Sequence, residues 1–413
     1  FLGGAVLYSL QSSAVKNPVD YVSTLVGTQS KFELSTGNTY PATALPWGMN
    51  FWTPQTGKMG DGWAYTYDAD KIRGFKQTHQ PSPWMNDYGQ FAIMPVVGTP
   101  EFDQDRRASW FSHKSEIAKP YYYEVYLAEH DVKTELTPTD RAAMFRFTFP
   151  ESKEARIQVD LARRVGGTST LQSVEVVDDH TIKGWMQCTP DGGGWGNGDG
   201  KADYTVYFYA QVDKPMENYG FWRADIPDDW VRKRDEVVSV PYLQRVAAAP
   251  VVTGIDRIEG RHIGFYTEFG TRQDEQVILR AGISFVDMEG ARKNFEAEIA
   301  GKAFDQVARE ARELWNRELA RIRIDGGSDR QKTIFYTALY HTMIDPRIYT
   351  DTDGRYMGAD GKPRALHVEK ALDVTLRTPP VKHDFGGHLA RCEYFTVDAK
   401  NGDFDGVADE KSF

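Results

Sequence analysis

The chain has 413 residues, 40% of them hydrophobic, which is more than one ordinary domain needs, so we expect two folded domains. Its 59 acidic side chains outnumber its 49 basic ones, and the net charge is -10. This balance argues against nucleic acid as a partner, because proteins that bind nucleic acids present basic surfaces. No stretch is long and apolar enough for a membrane span to be expected.

The first residues predict an export signal. The stretch FLGGAVLYSLQSSAVKNPVD has the apolar middle and the small-residue end of a secretory signal, without an initiating Met or a basic leader. We interpret residues 1–18 as a signal-peptide remnant and expect a secreted, periplasmic or cell-surface protein. A first buried strand is the alternative. Cys188 and Cys392 are far apart, and their spacing does not argue for a disulfide.

Three polar loops rich in Gly and aromatic residues follow, at residues 27–49, 60–79 and 78–89. The third reads THQPSPWMNDYG, and its two prolines favour a stiff loop because they fix φ and remove backbone donors. Aromatic rings among amide, hydroxyl and carboxylate groups are typical of carbohydrate sites. The candidate sugar-binding side chains are Phe32, Asn38, Trp63, His79, Trp84 and Asp87. Alternatively, Trp84 fills the core, and His79 and Asp87 brace the loop.

Alternating apolar residues predict antiparallel strands through the first two thirds of the chain. Polar residues fill most of the positions between them, which is the pattern of a sheet with one buried face. The apolar sets are Phe145, Phe147 and Phe149; Ile157, Val159 and Leu161; Tyr204, Val206, Phe208, Ala210 and Val212; Ile263, Phe265, Thr267 and Phe269; and Val277, Leu279, Ala281, Ile283 and Phe285. So many strands call for two packed sheets, and residues 19–288 are predicted to form a β-sandwich.

After Met288 the apolar spacing becomes helical. One helix is predicted from a stripe of Phe304, Val307, Ala308, Ala311, Leu314 and Trp315, and Gly301 separates it from a shorter helix at residues 291–300. Ser328 or Asp329 can cap a further helix that Pro346 ends. Its predicted stripe is Ile334, Phe335, Ala338, Leu339, Thr342 and Met343. We assign residues 289–327 to connecting helices and residues 328–413 to the start of a helical domain.

Three motifs together resemble a known family. They read GNTYPATALPWGM at residues 37–49, GFKQTHQPSPWMNDYG at residues 74–89 and FYTALYHTMIDPRIYTDTDGRYMG at residues 335–358. Their order and spacing are similar to those of the secreted α-mannosidases of glycoside hydrolase family 92. The resemblance extends across roughly residues 19–361, which is most of the chain.

The resemblance implies a β-sandwich that closes over an (α/α)6 barrel, with mannose bound where the two meet. It further implies an inverting, calcium-dependent hydrolase of mannose-containing glycans. Inversion needs a protonated carboxyl to assist the leaving group and a carboxylate to activate water, and calcium suits sugar hydroxyls. The PSPWMNDYG loop is similar to that of members that cut α-1,2-linked mannose, which would make Trp84 the platform for the leaving sugar.

The resemblance assigns no catalytic residue to this chain. In the family, the acid, the base and the calcium ligands lie later in the barrel than residue 413 would fall, so we expect a truncated N-terminal portion that is inactive alone. His388 and Leu389 stand where the family has a Trp-Asp pair, which suggests a frame change or divergence.

The tail contains an incomplete match to a metal loop. Asn401, Asp403, Asp405 and Asp409 match four ligand positions of an EF-hand-type calcium loop. Ser412 stands in place of the required bidentate Glu, so a solvated acidic tail is the simpler interpretation. The stretch at residues 351–361 is likewise interpreted as a turn.

The sequence leaves three classes of function open. The first is the N-terminal portion of a secreted α-mannosidase, and the second is a non-catalytic carbohydrate-binding module built on the sandwich. The third is a structural protein whose sandwich mediates assembly. A downstream barrel with paired carboxylates would favour the enzyme. Whether the chain has protein partners is not decided by its sequence.

Overall fold

The computed structural model describes residues 16–29, 39–56, 65–78, 91–161, 169–188, 204–227, 240–358, 360–366, 383–385, 388–390, 395–397 and 404–406. In this part of the chain, strands dominate as far as Ser284 and long helices follow. The predicted order, an antiparallel β-sandwich and then helices, is confirmed. None of the described helices is long and apolar enough to cross a membrane.

The strands vary from two to ten residues in length. In chain order they are β1 Phe51–Gln55, β2 Lys71–Ile72, β3 Gly74–Thr78, β4 Ala92–Val97, β5 Ser109–Trp110, β6 Ile117–Lys119, β7 Tyr122–Leu127, β8 Val132–Pro138, β9 Ala142–Phe149, β10 Ser152–Asp160, β11 Ser169–Val176, β12 Thr181–Cys188, β13 Tyr204–Val212, β14 Asn218–Arg223, β15 Val251–Val252, β16 Arg257–Gly260, β17 Ile263–Thr271, β18 Glu275–Ser284, β19 Arg355–Met357, β20 Pro363–Ala365, β21 His383–Phe385, β22 His388–Ala390, β23 Phe395–Val397 and β24 Phe404–Gly406.

Two large antiparallel sheets pack face to face. The first has the strand order β1-β3-β4-β10-β17-β14-β15, and the second has the order β16-β11-β12-β13-β18-β9-β8-β7-β6. Two-stranded pairs are formed by β2 with β5, β19 with β20, β21 with β22, and β23 with β24.

Alternating side chains fill the space between the two sheets, as the sequence predicts. In β13 every second residue from Tyr204 to Val212 is buried, and the residues between are partly exposed. The indole of Trp52 lies edge-on against Phe145 and Phe91, with ring centroids 4.8 and 5.5 Å apart. Burial of this continuous apolar layer is the main force that holds the sheets together.

The helices pack beside the sandwich. They are α1 Val240–Ala247, α2 Met288–Glu298, α3 Phe304–Leu319 and α4 Asp329–His341, with 3₁₀ turns at Pro18–Tyr21 and His113–Ser115. Asp287 caps the start of α2, and Ser328 forms a capping box with Gln331 at the start of α4. Gly301, with φ of 71°, separates α2 from α3 as predicted, because this backbone conformation favours glycine.

The front of the chain packs against the last two helices. Trp315 of α3 donates its indole N–H to the carbonyl of Ala44 at 2.8 Å, and Tyr340 of α4 donates its hydroxyl to the carbonyl of Ala42 at 3.2 Å. Both side chains are buried in one apolar cluster with Phe51. Residues before the sandwich and helices after it therefore share a core.

The predicted apolar stripe of α4 is wrong in part. Ile334 is 61% exposed, and Ala338 and Thr342 are also exposed. The buried face carries Tyr336, Thr337 and Tyr340, which the count of aliphatic residues overlooked. The α-helix ends at His341, five residues before Pro346.

Two substitutions on α4 test this assignment of its buried face. Tyr340→Ala removes a buried ring and its hydrogen bond, so we expect it to lower the free energy of unfolding by about 3–5 kcal/mol. Ile334→Ala is the matched control on the same helix, and we expect a change within about 0.5 kcal/mol because the side chain is exposed. Urea unfolding measures both. Comparable losses in the two variants would contradict the assignment.

Candidate functional site

One end of the sandwich collects several connecting segments. Asp160 of β10 pairs with Ala92 of β4 and with Gly264 of β17, and Cys188 of β12 pairs with Tyr204 of β13. We call this end the rim. The opposite end, where β9 turns into β10 and β17 into β18, is the base. The segments that join strands at the rim are 79–90, 162–168 and 189–203.

The predicted sugar-binding residues lie outside the described residues. They are Phe32, Asn38, Trp63, His79, Trp84 and Asp87. The predicted metal-loop residues Asn401, Asp403 and Asp409 also lie outside, and Asp405 is described only as part of β24. Their proposed roles therefore stay predictions. The structure does describe the residues at which their segments begin and end.

These end points bring two of the three site segments together. The hydroxyl of Tyr40, just after segment 30–38, donates to Thr78 Oγ1 at 3.2 Å, just before segment 79–90. The third segment, 57–64, follows Thr56, just beyond the end of β1 that is far from Phe51, while Tyr65 at its other end packs in one apolar cluster with Tyr40 and Phe51. The described residues that flank the Trp63 segment therefore lie toward both ends of β1, and Thr78, which precedes the Trp84 segment, lies at the rim.

A tight turn at Trp47 connects the sandwich to the chain after α4. Trp47 has φ of 58°, in the left-handed region. Its N–H donates to the carbonyl of Met343 and its carbonyl accepts from the N–H of Ile348, both at 2.8 Å. These two bonds hold a sparsely populated backbone conformation in place, which is typical of functional loops.

The same turn rests on the β8–β9 connection. The backbone N–H groups of Met49 and Asn50 donate to the carbonyl of Asp140 at 2.8 and 3.1 Å. Asn50 is fully buried, and within the described part of the chain neither polar atom of its side chain has a hydrogen-bond partner. Arg347 lies over the ring of Phe51 at 5.3 Å. Buried amide and guanidinium groups thus lie beneath the rim.

Glu298 fixes the β8–β9 connection to α2. Its Oε2 accepts from Thr139 Oγ1 at 2.6 Å and from the N–H of Arg141 at 2.8 Å, while its Oε1 accepts from Arg141 Nη1 at 2.9 Å. Burial and the nearby Glu298 carboxylate raise the pKa of Asp140 above its usual range, although Arg141 opposes them. The β8–β9 turn therefore directs the Asp140 carboxyl, whose pKa is raised, toward the Trp47 turn.

Asp351 forms a second buried contact between helix and sandwich. Its carboxylate accepts from Ser284 Oγ and from Asn294 Nδ2, each at 2.7 Å. Gly290 makes room for it, since a Cβ there would lie 2.2 Å from Asp351 Oδ2. Burial raises the pKa of Asp351 to about 6. Both carboxylate oxygens are engaged, which indicates a structural role.

The sequence analysis missed the carboxylates of the rim. Asp140 and Glu298 belong to no motif singled out in the sequence, although Asp140 and Arg141 form a charged pair between two apolar strands, and Asp351 lies in a stretch that is interpreted only as a turn. Among the described residues, no three His, Cys, Asp or Glu side chains come close enough together to hold a metal ion. The described part of the rim is a set of polar side chains held in fixed positions by hydrogen bonds.

Sequence comparison identifies the family to which this architecture belongs. The profile of the glycosyl hydrolase family 92 N-terminal domain matches residues 21–284, and that of the family 92 catalytic domain matches residues 290–372. The chain belongs to glycosyl hydrolase family 92. The two family 92 profiles meet between Ser284 and Gly290, immediately beside Asp351, so the rim lies at the junction of the two domains.

Solved structures and a curated relative agree with this assignment. A family 92 inverting mannosidase from Bacteroides thetaiotaomicron is 34% identical, with a TM-score of 0.71 over 86% of this chain and 44% of that one. A family 92 α-mannosidase from the same organism, solved with mannoimidazole, is 28% identical, with a TM-score of 0.72 over 88% of this chain and 44% of that one.

The curated relative is a protein of Arthroderma benhamiae described as an uncharacterized secreted glycosidase. It is 24% identical over 353 residues, which is 80% of this chain and 42% of that protein. The chain therefore spans less than half the length of each of these three relatives.

The buried carboxyl of Asp351 predicts a pH-dependent stability. A pKa of about 6, against 3.8 when unfolded, means that ionisation opposes folding. Its destabilising effect is absent below the unfolded pKa, grows as the pH rises through this window and is complete above the folded pKa. Asp351→Asn should therefore gain stability relative to the parent chain between about pH 4 and about pH 7.5, by about 1–3 kcal/mol.

Denaturation at a series of pH values measures this effect. Asp287→Asn is the control of opposite sign, because the Arg355 guanidinium holds the pKa of Asp287 below its usual range. Its ionised carboxylate stabilises the fold above the unfolded pKa, and that stabilisation is lost as the pH falls through the folded pKa. If the stability difference between Asp351→Asn and the parent chain did not change with pH, the raised pKa of the buried Asp351 carboxyl would be contradicted.

Proposed function

We propose that this chain is part of an exo-acting α-mannosidase that removes terminal α-linked mannose, with an α-1,2 preference, from glycans. The reaction we propose is inverting and calcium-dependent. The observation that carries the proposal is the 34% identity to an inverting mannosidase over 86% of the chain. We further propose a secreted location, which the secreted glycosidase of Arthroderma benhamiae supports.

The rim is where we propose that the sugar binds. Inversion requires an acid and a base about 6.5–9.5 Å apart, so that a water molecule fits between the base and the sugar. Glu298 and Asp351 are poor candidates, because both oxygens of each carboxylate already accept hydrogen bonds within the fold. We propose that the acid and the base lie elsewhere in the catalytic domain and that this chain alone does not turn over substrate.

Calcium would contribute by binding sugar hydroxyls. The described residues contain no set of His, Cys, Asp and Glu side chains able to hold it, so no step at the described rim is assigned to the ion. The proposed requirement for calcium is therefore separate from the proposal that the sugar binds at the rim.

Hydrolysis of α-1,2-mannobiose tests the proposal. The assay compares this chain with a version extended to the full length of the family 92 relatives, each with added calcium and with a chelator. We expect turnover only in the extended protein with calcium, and release of the inverted anomer as seen by NMR. Turnover by the short chain would contradict its predicted inactivity. Inactivity of both proteins with retained sugar binding would instead indicate a carbohydrate-binding module.

Trp84 gives a sharper test of how the leaving sugar is held. In the extended protein, Trp84→Ala should lower kcat/KM for α-1,2-mannobiose by about tenfold, the size of one lost aromatic contact. It should change kcat/KM much less for an aryl mannoside, whose leaving group is not a sugar. Trp110→Ala is the control, because Trp110 is 48% exposed and lies toward the base. Equal losses for both substrates would contradict the platform role.

A further inference from the structure

An open cavity lies on the outer face of the nine-stranded sheet at the base. Its volume is about 470 Å³, within the usual range of small-molecule sites. It is lined by Asp178, Asp179, His180, Thr181, Gln211, Val212, Asp213 and Arg280. Val212 is eight strand steps from Tyr204 at the rim, or about 26 Å. The cavity is therefore distinct from the proposed mannosidase site.

Hydrogen bonds hold the walls of the cavity in place. His180 donates its Nδ1–H to the carbonyl of Val212 at 2.7 Å, and its backbone N–H donates to Asp178 Oδ1 at 2.9 Å. Asp213 Oδ1 accepts from the N–H of Ile278 at 2.7 Å. Gln211 donates its amide to Thr181 Oγ1 at 3.2 Å. These contacts preorganise the lining, which lowers the entropic cost of binding a ligand.

The lining keeps several hydrogen-bonding groups available. Nδ1 of His180 donates to a carbonyl, which leaves Nε2 as a further hydrogen-bonding atom of the ring. Arg280 uses Nη2 for the carbonyl of Lys302. The carboxylate of Asp179 forms no hydrogen bond within the described part of the chain, and its side chain is exposed. The lining thus contains both donor and acceptor groups.

The chemistry of this lining fits a hydroxyl-rich ligand better than an anion, a divalent cation or an apolar molecule. The carboxylates of Asp178 and Asp213 disfavour an anion. A divalent cation is not favoured, because no metal-binding set of His, Cys, Asp or Glu occurs among the described residues. Val212, the aliphatic residue among the described lining, has its side chain buried in the core between the sheets, so an apolar ligand has little surface to contact. The carboxylates of Asp178, Asp179 and Asp213 face one guanidinium, that of Arg280, so the described lining is net negative.

We propose that this cavity is a second binding site for a saccharide unit, recognised by Asp179, His180, Gln211 and Arg280. Sugar hydroxyls both donate and accept hydrogen bonds, so they can pair with a lining that contains both kinds of group. The choice of a sugar among polyols rests on the proposed function. Since no Phe, Tyr or Trp of the described residues lines the cavity, binding is expected in the millimolar range. A branch of the same glycan about 26 Å from the cleaved end could bind here.

Chemical-shift mapping of the isotope-labelled chain with millimolar α-1,2-mannobiose tests the proposal. We expect shifts clustered at residues 178–181 and 211–213. Asp179→Asn should weaken this binding about fivefold, the equivalent of one hydrogen bond. Gln211→Ala is a second variant and should weaken it similarly. Asp274→Asn, on the β17–β18 turn at the base, is the matched control and should leave binding unchanged.

Two results would overturn the second site. One is a set of shifts confined to the rim and insensitive to Asp179→Asn, and the other is the absence of shifts at millimolar sugar. Hydrolysis by the extended protein is measured separately, and Asp179→Asn should leave kcat/KM for the disaccharide unchanged. Hydrolysis by the extended protein, without chemical-shift changes at the cavity, would contradict the second site and leave the proposed mannosidase standing. Shifts at the cavity without hydrolysis support the site and remove the proposed mannosidase.

Discussion

The carboxylate of Glu298 is the contact on which the organisation of the rim depends. It lies at the end of α2 and receives hydrogen bonds from Thr139 and from both the backbone and the guanidinium of Arg141. Arg141 also donates its Nε–H to the carbonyl of Thr350 at 2.5 Å. One short turn of the sandwich is thereby fixed to a helix and to the chain beyond α4.

The position of the Trp47 turn follows from this contact. The carbonyl of Asp140, in the turn that Glu298 holds, accepts from Met49 and Asn50, and Trp47 is bonded to Met343 and Ile348. The Arg141–Glu298 pair is partly buried, so removing one partner leaves the other charge without full compensation and destabilises the turn. Contacts between the sandwich and the helices thus hold the rim in place, and Thr78, which precedes the Trp84 segment, belongs to it.

The sandwich could be predicted because its signal is local. Alternation within β13 and β18 shows which side chains face the other sheet, and the structure buries those same residues. The buried face of α4 could not be predicted in the same way, because Tyr336 and Tyr340 pack inward while Ile334 does not. An amphipathic tyrosine buries its ring and keeps a polar tip, so counting aliphatic residues underestimates such a face.

The carboxylates of the rim were beyond sequence reasoning for a different reason. Arg141 and Glu298 are separated by 157 residues, and Ser284 and Asp351 by 67. No local pattern indicates that such residues meet, since their contact depends on the register of two sheets and the placement of α2. The motifs that pointed to the family are short continuous stretches, which a sequence displays without any knowledge of the fold.

Native-state hydrogen exchange in increasing denaturant tests the central claim, that the sandwich and the helices after it form one structural unit joined at the rim. We predict that the most protected amides of β9 and α4 converge on one unfolding free energy. We also predict that Glu298→Ala lowers it for both elements together. Opening of α4 at a lower free energy than β9, unaffected by Glu298→Ala, would contradict the account.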